Sequence, residues 1–201
     1  MQIILDTKPF AALESDALVT YLFEESDPVQ GRIAELDKLT GGLIARLNKS
    51  GELTGKNLEF TLVHAPAGLK TVRLLLVGAG KREQFNPGTL RKVAGAALRY
   101  LKSRSVHKVA FLLRENDLTE NAAQAVTEGV VAADFESDKY KTDKKADKFI
   151  ETFTIAGFSD AQKAAAEKGI AKGQTIGDAQ NFTRDLVNEP SNKLTPQWIT
   201  T

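Results

Sequence analysis

The first candidate for chemistry is the run Val77-Gly78-Ala79-Gly80-Lys81, followed by Arg82. It ends an apolar, strand-like stretch, and glycines after a strand can bring backbone N–H groups close to a phosphate. The spacing argues against that use. A phosphate-binding loop needs glycine, four residues, then Gly-Lys-Ser/Thr; here Leu75 stands at the first glycine position and Arg82 replaces the hydroxyl residue. A dinucleotide fingerprint fails as well, because Glu83 occupies the third glycine position. Two readings remain: a tight turn that needs φ > 0, or a weaker anion site made by turn N–H groups with Lys81 and Arg82.

Other chemistry-bearing residues are sparse. His64 and His107 are the two histidines, neither has a second histidine two to five residues on, and there is no cysteine to complete a zinc set. Each histidine reads as hydrogen-bonded or exposed. Asp134, Glu136, Asp138, Asp143 and Asp147 share one segment, but Lys139, Lys141, Lys144, Lys145 and Lys148 interleave with them, the pattern of a solvated polyampholyte surface. No Gly-x-Ser-x-Gly nucleophile elbow occurs. Arg184 and Asp185 read either as a domain-docking pair or as helix surface charges. No residue is assigned as catalytic, cofactor-binding or metal-ligating on this basis.

Composition narrows the function classes. The chain has 201 residues, 27 Lys plus Arg against 26 Asp plus Glu, and a net charge of +1, so it has no global field to attract nucleic acid or anionic lipid. Zero cysteines exclude disulfides and thiolate metal sites. The N-terminus lacks the basic and apolar regions of a signal peptide, and no apolar run approaches the roughly 20 residues of a membrane helix. A cytoplasmic location is the expectation.

These residues must be positioned by an alternation of β-branched apolar runs and helical patterns. Strands are expected at residues 3–5, 17–23, 58–64, 72–77, 108–113 and 149–158, and helices near 33–47, 87–101 and 118–134. In the second helix Asn86-Pro87 supplies a cap and a first-turn proline, and Leu90, Val93, Ala94, Ala97, Leu98 and Leu101 share one face. Such alternation predicts a three-layer α/β fold. The link between 58–64 and 72–77 is too short for a crossover helix, so those strands should form an antiparallel hairpin and make the sheet mixed.

From Asp160 to about Asn188 there is no proline; Ser159 or Asp160 can cap a start and Pro190 stops the end. About 29 residues at 1.5 Å each would span on the order of 43 Å, the reach of a helix that bridges two domains. Gly169, Gly173 and Gly177 recur on one face. Each costs about 1 kcal/mol relative to alanine, so they mark either a seam where another backbone lies close or a frayed, kinked helix. Thr195-Pro196 then opens a further helix of which little more than one turn is present. The expected organisation is a domain at 1–158, a linker helix at 159–189, and the start of another domain at 190–201.

The string Arg184-Asp185-Leu186-Val187-Asn188-x-Pro190-Ser191-Asn192-x-Leu194-Thr195-Pro196 resembles the junction that opens the catalytic domain of the leucyl aminopeptidases, the cytosol aminopeptidase or M17 family. Leu74-Leu75-Leu76-Val77-Gly78-Ala79-Gly80-Lys81, with Leu90-Arg91-Lys92-Val93-Ala94-Gly95, is similar to that family's strand, glycine turn and helix. Phe135 to Thr142 resembles its lysine- and tyrosine-containing loop. The resemblance covers the chain from about Leu74 onward.

It implies a macro-domain-like mixed sheet of about six strands followed by the linker helix. It also implies the non-catalytic N-terminal domain of a homo-hexameric exopeptidase that removes N-terminal amino acids from peptides. Two divalent metals, zinc or manganese, would lie in the catalytic domain, whose Asn-Thr-Asp-Ala-Glu-Gly-Arg stretch is not found between Met1 and Thr201. The domain's own catalytic domain is then its first partner, and the long helix with its glycine seam suggests that its roles are assembly and access to the active site. The same architecture and the Gly78–Gly80 turn leave open a second function, a macro-like module that binds a nucleotide or ADP-ribose.

Overall fold

The structure is a computed structural model and describes residues 1–24, 29–137 and 149–195. The expected helix start at Pro196 and the carboxylates Asp138, Asp143 and Asp147 lie outside the described residues. The elements in chain order are β1 (Gln2–Asp6), β2 (Ala17–Leu22), α1 (Arg32–Leu39), α2 (Leu43–Ser50), β3 (Phe60–His64) and β4 (Arg73–Gly78). There follow α3 (Pro87–Lys102), β5 (Lys108–Leu112), α4 (Glu120–Asp134), β6 (Thr152–Ala156) and α5 (Lys163–Asn188).

The six strands form one sheet in the order β1-β6-β5-β2-β4-β3. All neighbours pair in parallel except β3 and β4, which form the expected antiparallel hairpin, with Phe60 opposite Val77. Alternation along the strands divides the core into two layers. Val19, Tyr21, Leu75, Val77, Val109, Phe111, Phe153 and Ile155 face α3, α4 and α5. Leu18, Leu22, Leu74, Leu76, Ala110 and Leu112 face Ile33 and Leu36 of α1 and Ile44 of α2. Both faces of the central strands are covered, which is why β2 is buried at every position.

Three local expectations need correction. The helix expected at 33–47 is two helices, because Gly41 and Gly42 both take positive φ, +66° and +77°. Asp37 Oδ1 accepts the N–H groups of Ile44 and Ala45 and so caps the second helix from the first. The strand expected from 58 begins at Phe60, since Leu58 has φ 59° and donates its N–H to Gly78 O. The strand expected at 149–158 pairs only over Thr152–Ala156.

Helix ends follow their residues. Asn86 accepts the N–H of Thr89 ahead of Pro87, and Thr119 accepts that of Ala122. Ser159 and Gln162 form a capping box at a short 3-10 turn that runs into α5. At the other end Glu189 is extended, the conformation imposed on a residue before proline.

The α4 helix is the centre of its layer. A β-carbon on Gly129 would lie 2.2 Å from Arg91 O of α3, and one on Gly169 would lie 2.2 Å from Glu120 O. Similar crowding at Gly173 and Gly177 makes the glycine repeat a close-packed seam. Its partner is α4, within the same layer. This face of α5 is therefore filled and is not a surface for assembly.

Candidate functional site

The Gly78–Gly80 turn is a packing device. Gly78 N–H is donated to Glu59 O, Ala79 N–H to Leu22 O and Gly80 N–H to Gly55 O, at 2.8, 2.8 and 2.9 Å. A β-carbon on Gly78 would stand 1.8 Å from Lys56 O, so the segment 55–57 lies directly against the turn. Gly80 carries φ +73°. Glu59 holds that segment in place by accepting the N–H groups of Thr54 and Gly55 at 2.7 and 2.9 Å. The anion reading of this turn fails because its three donors are already spent.

Arg82, the last residue of that candidate, is used elsewhere. Its guanidinium faces Asp117 through two 3.4 Å contacts and lies 4.7 Å from the centre of the Phe23 ring. Asp117 Oδ2 also accepts the Tyr21 hydroxyl at 2.5 Å. Burial, then the Asp117 charge and hydrogen bond, push the Tyr21 phenol well above its ordinary pKa, so it stays a donor. Arg114 lies over the other half of this cluster, 4.8 Å from the Phe23 ring centre.

These groups stand at the C-terminal ends of β2, β4 and β5. Beside them Arg32 of α1 donates to Leu113 O at 2.6 Å and Gly157 O at 3.1 Å, tying the ends of β5 and β6 together. Glu115 accepts the Arg32 N–H at the start of α1. Burial opposes ionisation of Glu115, yet backbone donors and the charges of Arg114 and Arg32 hold its carboxyl below the ordinary value. A cavity of about 200 Å³ opens here, lined by Arg82, Phe85, Leu90, Asn116, Asp117 and Thr119 among others. No periodic signal in the sequence marks this cluster; the one clue is an arginine within four residues of the end of each of two buried strands.

The remaining candidates stay apart. His64 is exposed at the end of β3, while His107 Nδ1 lies 3.0 Å from Phe149 O. Among the described residues no group of three or more His, Cys, Asp or Glu is placed to hold a metal ion. Asp134 and Glu136 both pair with Lys102, at 2.9 and 3.0 Å. Arg184 donates to Ala132 O at 2.7 Å and stacks on Phe135, while Asn181 donates to Val131 O. Lys102 donates to Asp134 O, so three of the last four carbonyls of α4 accept bonds from the two neighbouring helices. Arg184 thus docks α5 on α4, and Asp185 is exposed.

The outer side of α5 changes character along its length. Its first turns carry Lys163, Glu167, Lys168 and Lys172, the last two paired with Glu120. Its last turns expose Ile176, Phe182 and Val187 at 46, 61 and 80%. Together with Ala179 and Leu186 these make an apolar stripe on the side away from the glycines. Among the described residues no helix is long and apolar enough to cross a membrane.

Comparison with known proteins places this architecture. The sequence model described as the cytosol aminopeptidase family, N-terminal domain, matches residues 19–144. A probable cytosol aminopeptidase of Solibacter usitatus (strain Ellin6076) is 40% identical over 196 residues, 98% of this chain and 38% of the relative. The chain therefore spans about two fifths of the length of that relative. Among solved structures a tomato leucine aminopeptidase mutant superposes with TM-score 0.78 and 22% identity, covering 98% of this chain and 40% of that one. A Trypanosoma brucei macrodomain in complex with ADP-ribose superposes with TM-score 0.62 and 15% identity, over 83% of this chain and 68% of its own, a likeness of fold.

Proposed function

Because the chain belongs to the cytosol aminopeptidase family and carries its N-terminal domain, we propose that it is the non-catalytic domain of a leucyl-aminopeptidase-like exopeptidase. The whole protein removes N-terminal amino acids from peptides in the cytoplasm, as a homo-hexamer. The observation that carries this reading is the family match over residues 19–144. Two divalent metals, zinc or manganese, belong to such a reaction, where they polarise the scissile carbonyl and acidify a water. This reading places the metals and the hydrolytic step in the catalytic domain.

Its role is to seat the catalytic domain, shape the assembly and limit access to the active site. The stripe of Ile176, Phe182 and Val187 supports the first of these, because exposed apolar side chains in a row are costly to leave in water. The glycine seam lends no support, being filled by α4. A macro-like binding function based on the Gly78–Gly80 turn is less favoured, since that turn has no free donors among residues 78–80.

The direct test is peptidase assay of purified residues 1–201 with leucyl peptides and added zinc or manganese. No release of leucine is expected, whereas the full-length protein should release it. Metal-dependent turnover by residues 1–201 alone would overturn the assignment.

A further inference from the structure

Strand order creates a crevice that the exopeptidase reading does not use. β2 lies between β5 and β4. It hands the chain to α1 and α2 on one face of the sheet, whereas β4 and β5 hand it to α3 and α4 on the other. Connections that diverge in this way leave an opening at the carboxyl end of the central strand, where open α/β sheets bind ligands. Phe23 follows β2, Arg82 follows β4, and Arg114 and Asp117 follow β5, so all four meet at that point.

The charge there is incompletely matched. Arg82 and Arg114 place guanidinium carbons 4.7 and 4.8 Å from the centre of the same phenyl ring. Arg114 is 8% exposed, and its Nη1 meets no acceptor. A buried cationic donor without a partner is rare and costly. Of the nearby carboxylates, Glu115 is engaged by the Arg32 backbone, and Asp117 is bonded to Tyr21. Asp117 reaches Arg82 only at 3.4 Å, beyond the 2.7–2.9 Å of a strong charge-assisted bond. Arg82 can therefore exchange this contact for a better one.

The adjoining cavity has suitable walls and opens to solvent, so a ligand larger than its volume can extend outward. Its volume is about 200 Å³; Phe85, Pro87, Leu90 and Ala122 supply apolar surface. Asn116, whose side chain has no partner among the described residues, Thr119 and Arg82 supply donors. The N-termini of α3 and α4 point their positive ends at the same space.

We propose that this cavity binds a small phosphate ester with a ring body, a nucleoside monophosphate. The phosphate sits on Arg82 and Asn116 at the start of α4, with Arg114 adding positive potential from beneath, and the ring lies against Phe85 and Leu90. This site is distinct from the Gly78–Gly80 turn and does not depend on the exopeptidase assignment.

Isothermal titration of the chain with AMP, adenosine and inorganic phosphate tests it. AMP should bind in the millimolar range or tighter, inorganic phosphate more weakly, and adenosine not measurably. Arg82→Ala should weaken AMP by about tenfold or more, and Asn116→Ala by a smaller factor, with both variants melting like the parent. Arg82→Lys, which keeps charge but loses the fork, should fall between parent and Arg82→Ala. The proposal is overturned by absence of AMP binding at several millimolar, by equal affinity in Arg82→Ala, or by adenosine binding as well as AMP. Equal affinity for inorganic phosphate and AMP would also overturn it, because the apolar wall would then take no part.

Discussion

A β-carbon on Gly169 of α5 would stand 2.2 Å from the carbonyl oxygen of Glu120 on α4. The two helices touch backbone to backbone here; one turn on, Gly173 lies against Gln124 O and the Thr127 side chain, and two turns on, Gly177 lies against the Val131 side chain. Lys168 and Lys172, on either side of Gly169, reach back to the Glu120 carboxylate and close the junction from outside.

Gly169→Ala should therefore destabilise the chain although alanine favours helix. The helix gain of about 1 kcal/mol is outweighed by forcing two backbones apart, and a net loss of about 1–3 kcal/mol is expected. Urea unfolding of parent and variant measures it. A stabilised Gly169→Ala would mean that the helices are not held this closely.

Lys102 should give the chain an alkaline limb. Its ammonium, 8% exposed, bonds Asp134 O and Oδ1 at 2.9 Å and pairs with Glu136 at 3.0 Å. Burial lowers its pKa, but the bonds to Asp134 and Glu136 and their charges outweigh burial and leave it above 10.5. A group that holds its proton more tightly when folded contributes fully below its unfolded pKa and loses that contribution as pH rises through the folded one. Lys102→Met should lower neutral-pH stability by about 1–3 kcal/mol and flatten the decline above about pH 10.5. Parallel pH profiles for parent and variant would contradict this.

Gly78 and Gly80 should respond differently to substitution. At Gly78 a β-carbon meets Lys56 O at 1.8 Å, whereas at Gly80 the nearest atom is 3.5 Å away and the constraint is φ +73°. Gly78→Ala is expected to cost about 2 kcal/mol or more. Gly80→Asn should cost about 1 kcal/mol or less, because asparagine tolerates the left-handed region. Thermal melts of the two variants decide it, and a reversed order would refute the packing account.

Phe182→Ser and Val187→Ser should leave the stability of residues 1–201 within about 0.5 kcal/mol of the parent, as both side chains face solvent. In the full-length protein the same changes should lower the melting temperature, since the stripe would be covered there. Equal effects in both contexts would argue against docking at this face.

Much of the architecture was legible because it depends on short-range signals. Asn86-Pro87, Ser159 or Asp160, and Pro190 mark helix ends by chemistry within a few residues, and the short link after His64 enforced a hairpin. The Gly41–Gly42 break was missed because the apolar period of 33–47 continues across it. The Gly169, Gly173 and Gly177 repeat announced a close approach but could not name its partner.

What the residues by themselves determined was the order of strands and helices, their caps, and the two faces each strand would bury. Tertiary structure alone decided that Tyr21, Arg82 and Asp117 would meet, because they lie far apart in sequence and come together only when β2 takes its place between β4 and β5. That placement follows from burial of both sheet faces at once, a non-local balance that no window of sequence contains. The same balance turned Gly78–Gly80 from a candidate anion turn into a backbone seat for residues 55–57, whose approach no local pattern specifies.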